Sequence, residues 1–185
     1  MITKIKDGMH IVAIDDAPHQ RENVFAELFF VYCKSTYLEK VTHSPITVDG
    51  TDSTRVILNE LQREKKNFSL IVMHGITVGG LNIVDIHTLS DILQKPILAV
   101  TENAPTDDTI YSAIDQLSDS SLRKQLLDKA GPLESFITPH SHNPIYFHTT
   151  NVQPEIAKEY FIKFCIRSRL PEQLLIAHKI ASAWI

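Results

Sequence analysis

The stretch that decides the fold is Leu70–Ile86, which reads LIVMHGITVGGLNIVDI. Its apolar part, residues 70–73, has the length of a buried strand and ends at His74. A loop with three glycines follows, and helical spacing begins at Asn82. A buried strand that ends in a polar residue and turns through glycines into a helix is a common way to build a site at the edge of an α/β sheet. An ordinary strand–helix connection has the same pattern, so both interpretations stay open.

Outside this stretch, apolar and β-branched runs predict strands, and apolar residues at helical spacing predict helices. Before it we expect strands over 9–14, 24–32 and 37–48, and a helix around 56–61. After it we expect helices over 82–93, from 105, around 122–127, over 154–165 and over 171–184. Further strands are expected over 96–101, 133–138 and 145–148. Antiparallel strands first and alternating strands and helices later predict an α/β fold with a mixed sheet flanked by helices.

Composition limits the classes of protein to which the chain can belong. A chain of 185 residues suits one domain over residues 1–185. No apolar run approaches the roughly 20 residues of a membrane span, and the N-terminus has no signal-peptide pattern, so we expect a cytoplasmic protein without a membrane partner. The net charge of −4 gives no overall attraction to nucleic acid. Contact with nucleic acid would need local basic groups, for which Arg167 with Arg169 are the candidates. Lys65 with Lys66 form a second basic cluster, which we interpret as a solvated face.

Three carboxylates adjoin predicted strand ends: Asp15, Asp49 and Asp85. Carboxylates that converge at one edge of a sheet supply the oxygen ligands that hard divalent cations require, and two such ions can stabilise both oxygens of a phosphodiester displacement. Each residue also has a structural interpretation. Asp49-Gly50 is a turn dipeptide, and Asp85 is spaced from Asn82 like the acidic half of a capping box.

The histidines also admit two interpretations each. His74, at a strand end, is either a metal ligand or general base, or simply hydrogen-bonded. His140 and His142 lie two residues apart and form either a transition-metal site or a solvated loop. His178 lies beside Ala177 and Ile180 in the last predicted helix, and we expect it to be packed in the core.

Four segments together resemble the signature blocks of the archaeal endonuclease dU family, which is related to endonuclease V. They are IDDAP (residues 14–18), ITVDGTDST (46–54), GITVGGLNIVDI (75–86) and RSRLPEQLLIAHKIASA (167–183). The blocks occur in order and span most of the chain. The resemblance implies a ribonuclease H-like mixed sheet flanked by helices. It also implies a metal-dependent nuclease site, similar to that of enzymes that cut DNA near deaminated bases such as uracil.

Matched to the family pattern, the first-strand carboxylate falls on Asp15, with Asp16 beside it. The next acidic position falls on Asp49, with Asp52 as its competitor, and the third position falls on His74. The family usually has Asp-Gly at this third position, and it usually has glycine where this chain has Ala17. We therefore expect Asp15, Asp49 and His74 to be catalytic, with Asp85 as a further metal ligand. Candidate substrate-binding residues are Asp16, Asp52, Gly75, Gly79, Asn82, Arg167 and Arg169.

The histidine at position 74, in place of the family's usual aspartate, affects which metal we expect and how active the site should be. The family resemblance favours Mg²⁺ or Mn²⁺, whereas an imidazole prefers softer ions, with Mn²⁺ as the compromise. The function expected is a metal-dependent endonuclease acting on DNA with deaminated bases, weakened by this change. The alternative is a catalytically inactive nucleic-acid or nucleotide-binding protein on the same fold, and a small-molecule-binding α/β protein is a third option. The oligomeric state stays open, with a homodimer as one option.

Overall fold

The computed structural model describes residues 2–20, 22–64, 67–103 and 107–184, without the side chains of residues 107 and 108. Lys65, Lys66 and Pro105, on which two of the expectations fall, lie outside the described residues. Seven strands form one sheet in the order β3-β2-β1-β4-β7-β9-β8. They are β1 (His10–Asp16), β2 (Phe25–Lys34), β3 (Tyr37–Thr47), β4 (Leu70–His74), β7 (Ile97–Thr101), β8 (Glu134–Ile137) and β9 (Pro144–Thr150).

The sheet is mixed, as the sequence predicts. The central strands β1, β4 and β7 run parallel. Each passage from one of them to the next includes a helix, which carries the chain back to the starting edge of the sheet. The outer strands β2, β3, β8 and β9 pair antiparallel. Six helices accompany the sheet in the described residues: α1 (Ser53–Arg63), α2 (Ile86–Leu93), α3 (Asp107–Ile114), α4 (Ser120–Lys129), α5 (Pro154–Phe164) and α6 (Glu172–Ser182).

Two hydrophobic clusters cover the two faces of the sheet, because successive residues of a strand point to opposite sides. On one face, Ile11 and Ala13 of β1 share a cluster with residues of α5 and α6 such as Phe161 and Ala177. On the other face, Val12 and Ile14 share a cluster with residues of α1 and α2. A polar side chain at the end of β1 or β4 therefore lies on the same face as the residue two positions before it.

The helix predicted from Asn82 begins at Ile86 instead. Residues Thr77–Val78 (β5) and Asn82–Ile83 (β6) form a small antiparallel hairpin in front of it. Gly79 and Gly80 make the turn with φ of +52° and +83°, a backbone conformation that side chains disfavour. This hairpin is not visible from the periodicity. It lies within residues 75–83, the segment we call the glycine loop.

Candidate metal centre at the carboxyl edge of the sheet

Asp15 and His74 come together because their strands are parallel neighbours. Ile14 of β1 pairs with Met73 of β4, so the next residue on each strand lies at the same level. Both side chains point to the face that carries α6. Asp15 Oδ1 lies 3.2 Å from His74 Nδ1. This hydrogen bond raises the pKa of His74, since the carboxylate stabilises the charged imidazole.

His178 completes the group from above the sheet. Helix α6 packs against β1, β2 and β4 through its buried residues Leu174, Ala177 and Ala181. His178 lies at the margin of this buried stripe, and its Nδ1 is 2.9 Å from Asp15 Oδ2. The expectation that His178 is packed in the core is wrong, because its side chain is exposed and faces Asp15. The spacing of four residues between Leu174 and His178 puts both on one side of α6, and it is the sequence signal that could have placed His178 beside the sheet.

Asp15, His74 and His178 can each offer one ligand atom, and these atoms lie within 4.8 Å of one another. Within the residues described, this is the group of three that could hold a metal ion. Asp15 is 3% exposed, His74 is half-buried and His178 is exposed. The group is therefore buried at Asp15 and open to solvent at His178. One carboxylate with two imidazoles suits a first-row transition metal better than Mg²⁺.

Asp16 and Asp49 bind the glycine loop instead of joining this group. Asp16 Oδ2 accepts a hydrogen bond of 2.9 Å from the Gly79 amide, and burial raises the pKa of Asp16. Asp49 Oδ1 accepts from the Leu81 amide at 2.8 Å, while the Asp49 amide donates to the Gly79 carbonyl. A Cβ atom on Gly80 would lie 2.3 Å from Asp49 Oδ1, so only glycine lets this carboxylate approach. Both aspartates thus hold the loop beside the metal-ligand group.

The other predicted polar residues stabilise neighbouring structure. Asp52 accepts hydrogen bonds from Thr47 and from the Asn82 side chain, and these bonds lower the pKa of Asp52 against the opposing effect of its burial. Asp85 is the N-cap of α2, where its carboxylate accepts from the Thr88 amide and pairs with Lys129. Of the four predicted ligands, the structure therefore brings Asp15 and His74 together, and it places Asp49 and Asp85 in other hydrogen-bond networks.

Arg123 is a residue that the sequence analysis missed. It is buried in α4, and its guanidinium donates to the carbonyls of Asp49, Gly50 and Leu81. Asp119, one turn earlier, balances its charge through two hydrogen bonds. One side chain thus joins the turn after β3 to the glycine loop. The sequence offers only a helical Asp–Arg pair at i, i+4, which is usually an exposed pair.

The two arginines predicted to contact phosphate are both paired with carboxylates. Arg169 donates to the Glu102 carboxylate at 2.7 Å and to the Glu102 carbonyl. Arg167 is exposed and forms a forked ion pair with Glu172, which lowers the pKa of Glu172. Glu102 directly follows β7 and lies close enough to His74 to favour its charged form. His140 and His142 are exposed in the loop before β9.

A cavity of about 540 Å³ adjoins the start of the glycine loop. Gly75 and Thr77 line one side, and Ala99 and Thr101 of β7 form the floor together with His148 of β9. Ala99 belongs to the cluster on the α1 and α2 face, so the cavity and Asp15 lie on opposite faces of the sheet near the same edge. Burial lowers the pKa of His148, because it disfavours the charged imidazole.

None of the helices, as far as the chain is described, is long and apolar enough to cross a membrane.

Comparison with known proteins agrees with the fold. A UPF0215 protein of Methanosarcina barkeri is 32% identical over 183 residues, covering 98% of this chain and 93% of its own. The crystal structure of an Archaeoglobus fulgidus protein is 26% identical, with a TM-score of 0.84 over 95% of this chain and 97% of that one.

Endonuclease V structures share the fold. That of Ciona intestinalis, solved with a DNA containing inosine, has a TM-score of 0.61 at 12% identity, covering 93% of this chain and 83% of the other. The expected α/β fold of the endonuclease V type is therefore confirmed. The profile of the family described as endonuclease dU matches residues 7–185, and this chain belongs to the endonuclease dU family.

Proposed function

We propose that this protein is a divalent-metal-dependent endonuclease that hydrolyses phosphodiester bonds of nucleic acid, chiefly DNA, near deaminated bases. The observation that carries the proposal is the position of Asp15 between His74 and His178, at the edge where the parallel strands end. Membership of the endonuclease dU family supports the reaction class. The similarity in fold to an endonuclease V solved with inosine-containing DNA supports nucleic acid as the substrate.

The donor atoms present fit a metal ion. Asp15 supplies charge from a buried position, and the two imidazoles supply neutral nitrogen ligands on either side of it. A bound ion there would act as a Lewis acid on a phosphodiester and would assist ionisation of the attacking water. Because two of the three donors are imidazoles, we expect Mn²⁺ to be bound more tightly than Mg²⁺.

The surrounding residues have supporting roles in this proposal. Asp16 and Asp49 fix the glycine loop, whose backbone then borders both the ligand group and the cavity beside Gly75. This cavity would receive the deaminated base. Arg167 is exposed and could exchange its pairing with Glu172 for a backbone phosphate, because a guanidinium binds phosphate and carboxylate with the same fork.

The direct test is cleavage of end-labelled oligonucleotides that contain one uracil or one inosine, with Mn²⁺, Mg²⁺ or chelator. We expect cleavage near the modified base with Mn²⁺, weaker cleavage with Mg²⁺ and none with chelator. Undamaged oligonucleotides of the same sequence are the matched substrate control. Equal cleavage by an Asp15→Ala variant would contradict the proposal.

The alternative is a catalytically inactive binder on this fold, and the direct hydrogen bond between His74 and Asp15 favours it. Such a protein would bind the modified oligonucleotide in chelator with an affinity that falls steeply with salt, and would leave it intact with every metal. The cleavage test therefore separates the two functions.

A further inference from the structure

A row of four side chains crosses the sheet beside the candidate metal centre. Strand register places His74 of β4 next to Asp15 of β1, Asp15 opposite Phe29 of β2, and Phe29 opposite His43 of β3. Side chains at directly paired positions share one face of a sheet. With strands about 4.8 Å apart, His43 lies roughly 10 Å from Asp15 along this row.

The outer half of this row is aromatic and open to solvent. Trp184, just beyond α6, packs edge-on against the Phe29 ring at 5.5 Å and lies 5.0 Å from the His43 ring. His43 stacks on Phe29 at 5.6 Å, and Glu27 hydrogen-bonds its Nδ1. Phe29 is buried, whereas about half of Trp184 and of His43 is exposed. We call Phe29, His43 and Trp184 the aromatic patch.

We propose that the aromatic patch binds an unpaired base of the nucleic-acid strand whose phosphate lies at Asp15. The patch is on the same face as Asp15 and His178, and Trp184 follows His178 by six residues, two positions beyond the end of α6. A strand whose backbone passes His178 along α6 therefore brings its next bases to Trp184. Exposed aromatic rings beside a backbone-binding site stack on bases with little regard to sequence.

The architecture around the patch also argues for a flat, planar ligand. Phe29 is buried and packs against Ala17 and Ala181, so small side chains form the floor of the patch. Its two exposed members, His43 and Trp184, are rings, and both are held by a stacked or edge contact with Phe29. The inference rests on the proposed function in one respect, namely that the strand reaching Asp15 is a nucleic acid.

Trp184 is the sole tryptophan of the sequence, so tryptophan fluorescence reports on the patch directly. The probe is a single-stranded oligothymidylate of roughly 12 nucleotides, within the range of known single-strand sites, at a constant Mn²⁺ concentration. It contains no deaminated base, so no cleavage is expected. A fully abasic strand of the same length carries the same phosphates without bases. Affinity is measured separately by the anisotropy of a dye on the strand.

We expect oligothymidylate to quench Trp184 fluorescence and the abasic strand to leave it unchanged. Trp184→Ala should weaken binding of oligothymidylate by about tenfold, the loss of one base–aromatic stack, with abasic binding unaltered. Trp184→Phe should restore most of the affinity. Tyr37→Ala is the matched control, because Tyr37 is an exposed aromatic residue near the β2–β3 turn, far along β3 from His43.

Several outcomes would overturn the inference. One is absence of quenching together with equal affinity of Trp184→Ala and wild type for oligothymidylate. Another is a change of oligomeric state in Trp184→Ala without a change in binding, which would make the patch an interface between two copies of the chain. If the wild type cleaves damaged DNA but the patch variants bind normally, the inference alone fails. If base-dependent binding requires Trp184 but no metal supports cleavage, the proposed function alone fails.

Discussion

Asp15 and His74 end two neighbouring parallel strands at the same level, and their side chains meet at 3.2 Å. The buried carboxylate has a second contact, with His178 at 2.9 Å, so each of its oxygens faces one imidazole. The arrangement makes Asp15 the central residue of the edge site, and it yields predictions for each partner.

Replacing Asp15 with Asn should strongly weaken metal binding at this site, because the substitution removes the charge of the carboxylate while preserving the side-chain shape. We expect the affinity for Mn²⁺ to fall by about 100-fold or more, because even residues outside the ligand shell alter metal affinity 10–100-fold. Mn²⁺ electron paramagnetic resonance measures the bound fraction directly. Asp91→Asn, on the exposed side of α2, is the matched control and should bind Mn²⁺ like the wild type.

Replacing His74 with Asp should shift the metal preference toward Mg²⁺. A second carboxylate adds negative charge and a hard oxygen ligand, which Mg²⁺ prefers over imidazole. The ratio of Mg²⁺-supported to Mn²⁺-supported cleavage should rise by about tenfold, equivalent to about 1.4 kcal/mol of differential binding. An unchanged ratio, in a variant that is folded by circular dichroism, would show that His74 is not a ligand.

Replacing Arg123 with Met should destabilise the protein by about 2–4 kcal/mol, because the carbonyls of Asp49, Gly50 and Leu81 would lose a buried donor. Urea denaturation followed by circular dichroism measures the free energy of unfolding. Lys124→Met removes the neighbouring, less buried cation and should change stability by no more than about 0.5 kcal/mol. Equal effects of the two substitutions would contradict the role assigned to Arg123.

The pH dependence of stability should contain a contribution from His148. Burial lowers the pKa of this imidazole in the folded protein, so the unfolded chain binds the proton more readily. Its contribution to stability is therefore complete above the ordinary histidine pKa of about 6.5 and is lost as the pH falls below that value. Thermal unfolding between about pH 7.5 and about pH 5 should show a smaller loss of stability for His148→Asn than for the wild type. His140→Asn, an exposed substitution, should follow the wild type.

The central strands were predictable because a short run of apolar residues that ends at a polar residue identifies a buried strand from the local sequence. Residues 70–73 are continuously apolar and stop at His74, where the strand indeed ends. The hairpin in the glycine loop was not predictable by periodicity, because two-residue strands are too short to show a period. The helix expected from Asn82 consequently starts four residues later.

The site was predictable only in part, because convergence depends on strand pairing. Asp15 and His74 are 59 positions apart, and only the parallel register of β1 and β4 joins them. Asp49 and Asp85 have the same strand-end signature, yet their oxygens bind the glycine loop and the start of α2. His178 gave the opposite signal, since a histidine beside apolar helical neighbours resembles a core residue until the sheet beneath α6 is known.

The placement of the cavity and the Asp15 group on opposite faces of the sheet has a mechanical consequence for a nucleic-acid substrate. A strand that fills both must turn around the edge of the sheet at Gly75 within a few nucleotides. Duplex DNA is stiff over about 150 base pairs and resists such a turn, whereas an unpaired segment does not. The flexibility of the substrate around a damaged base, as well as the identity of that base, would then govern how quickly the protein binds the substrate.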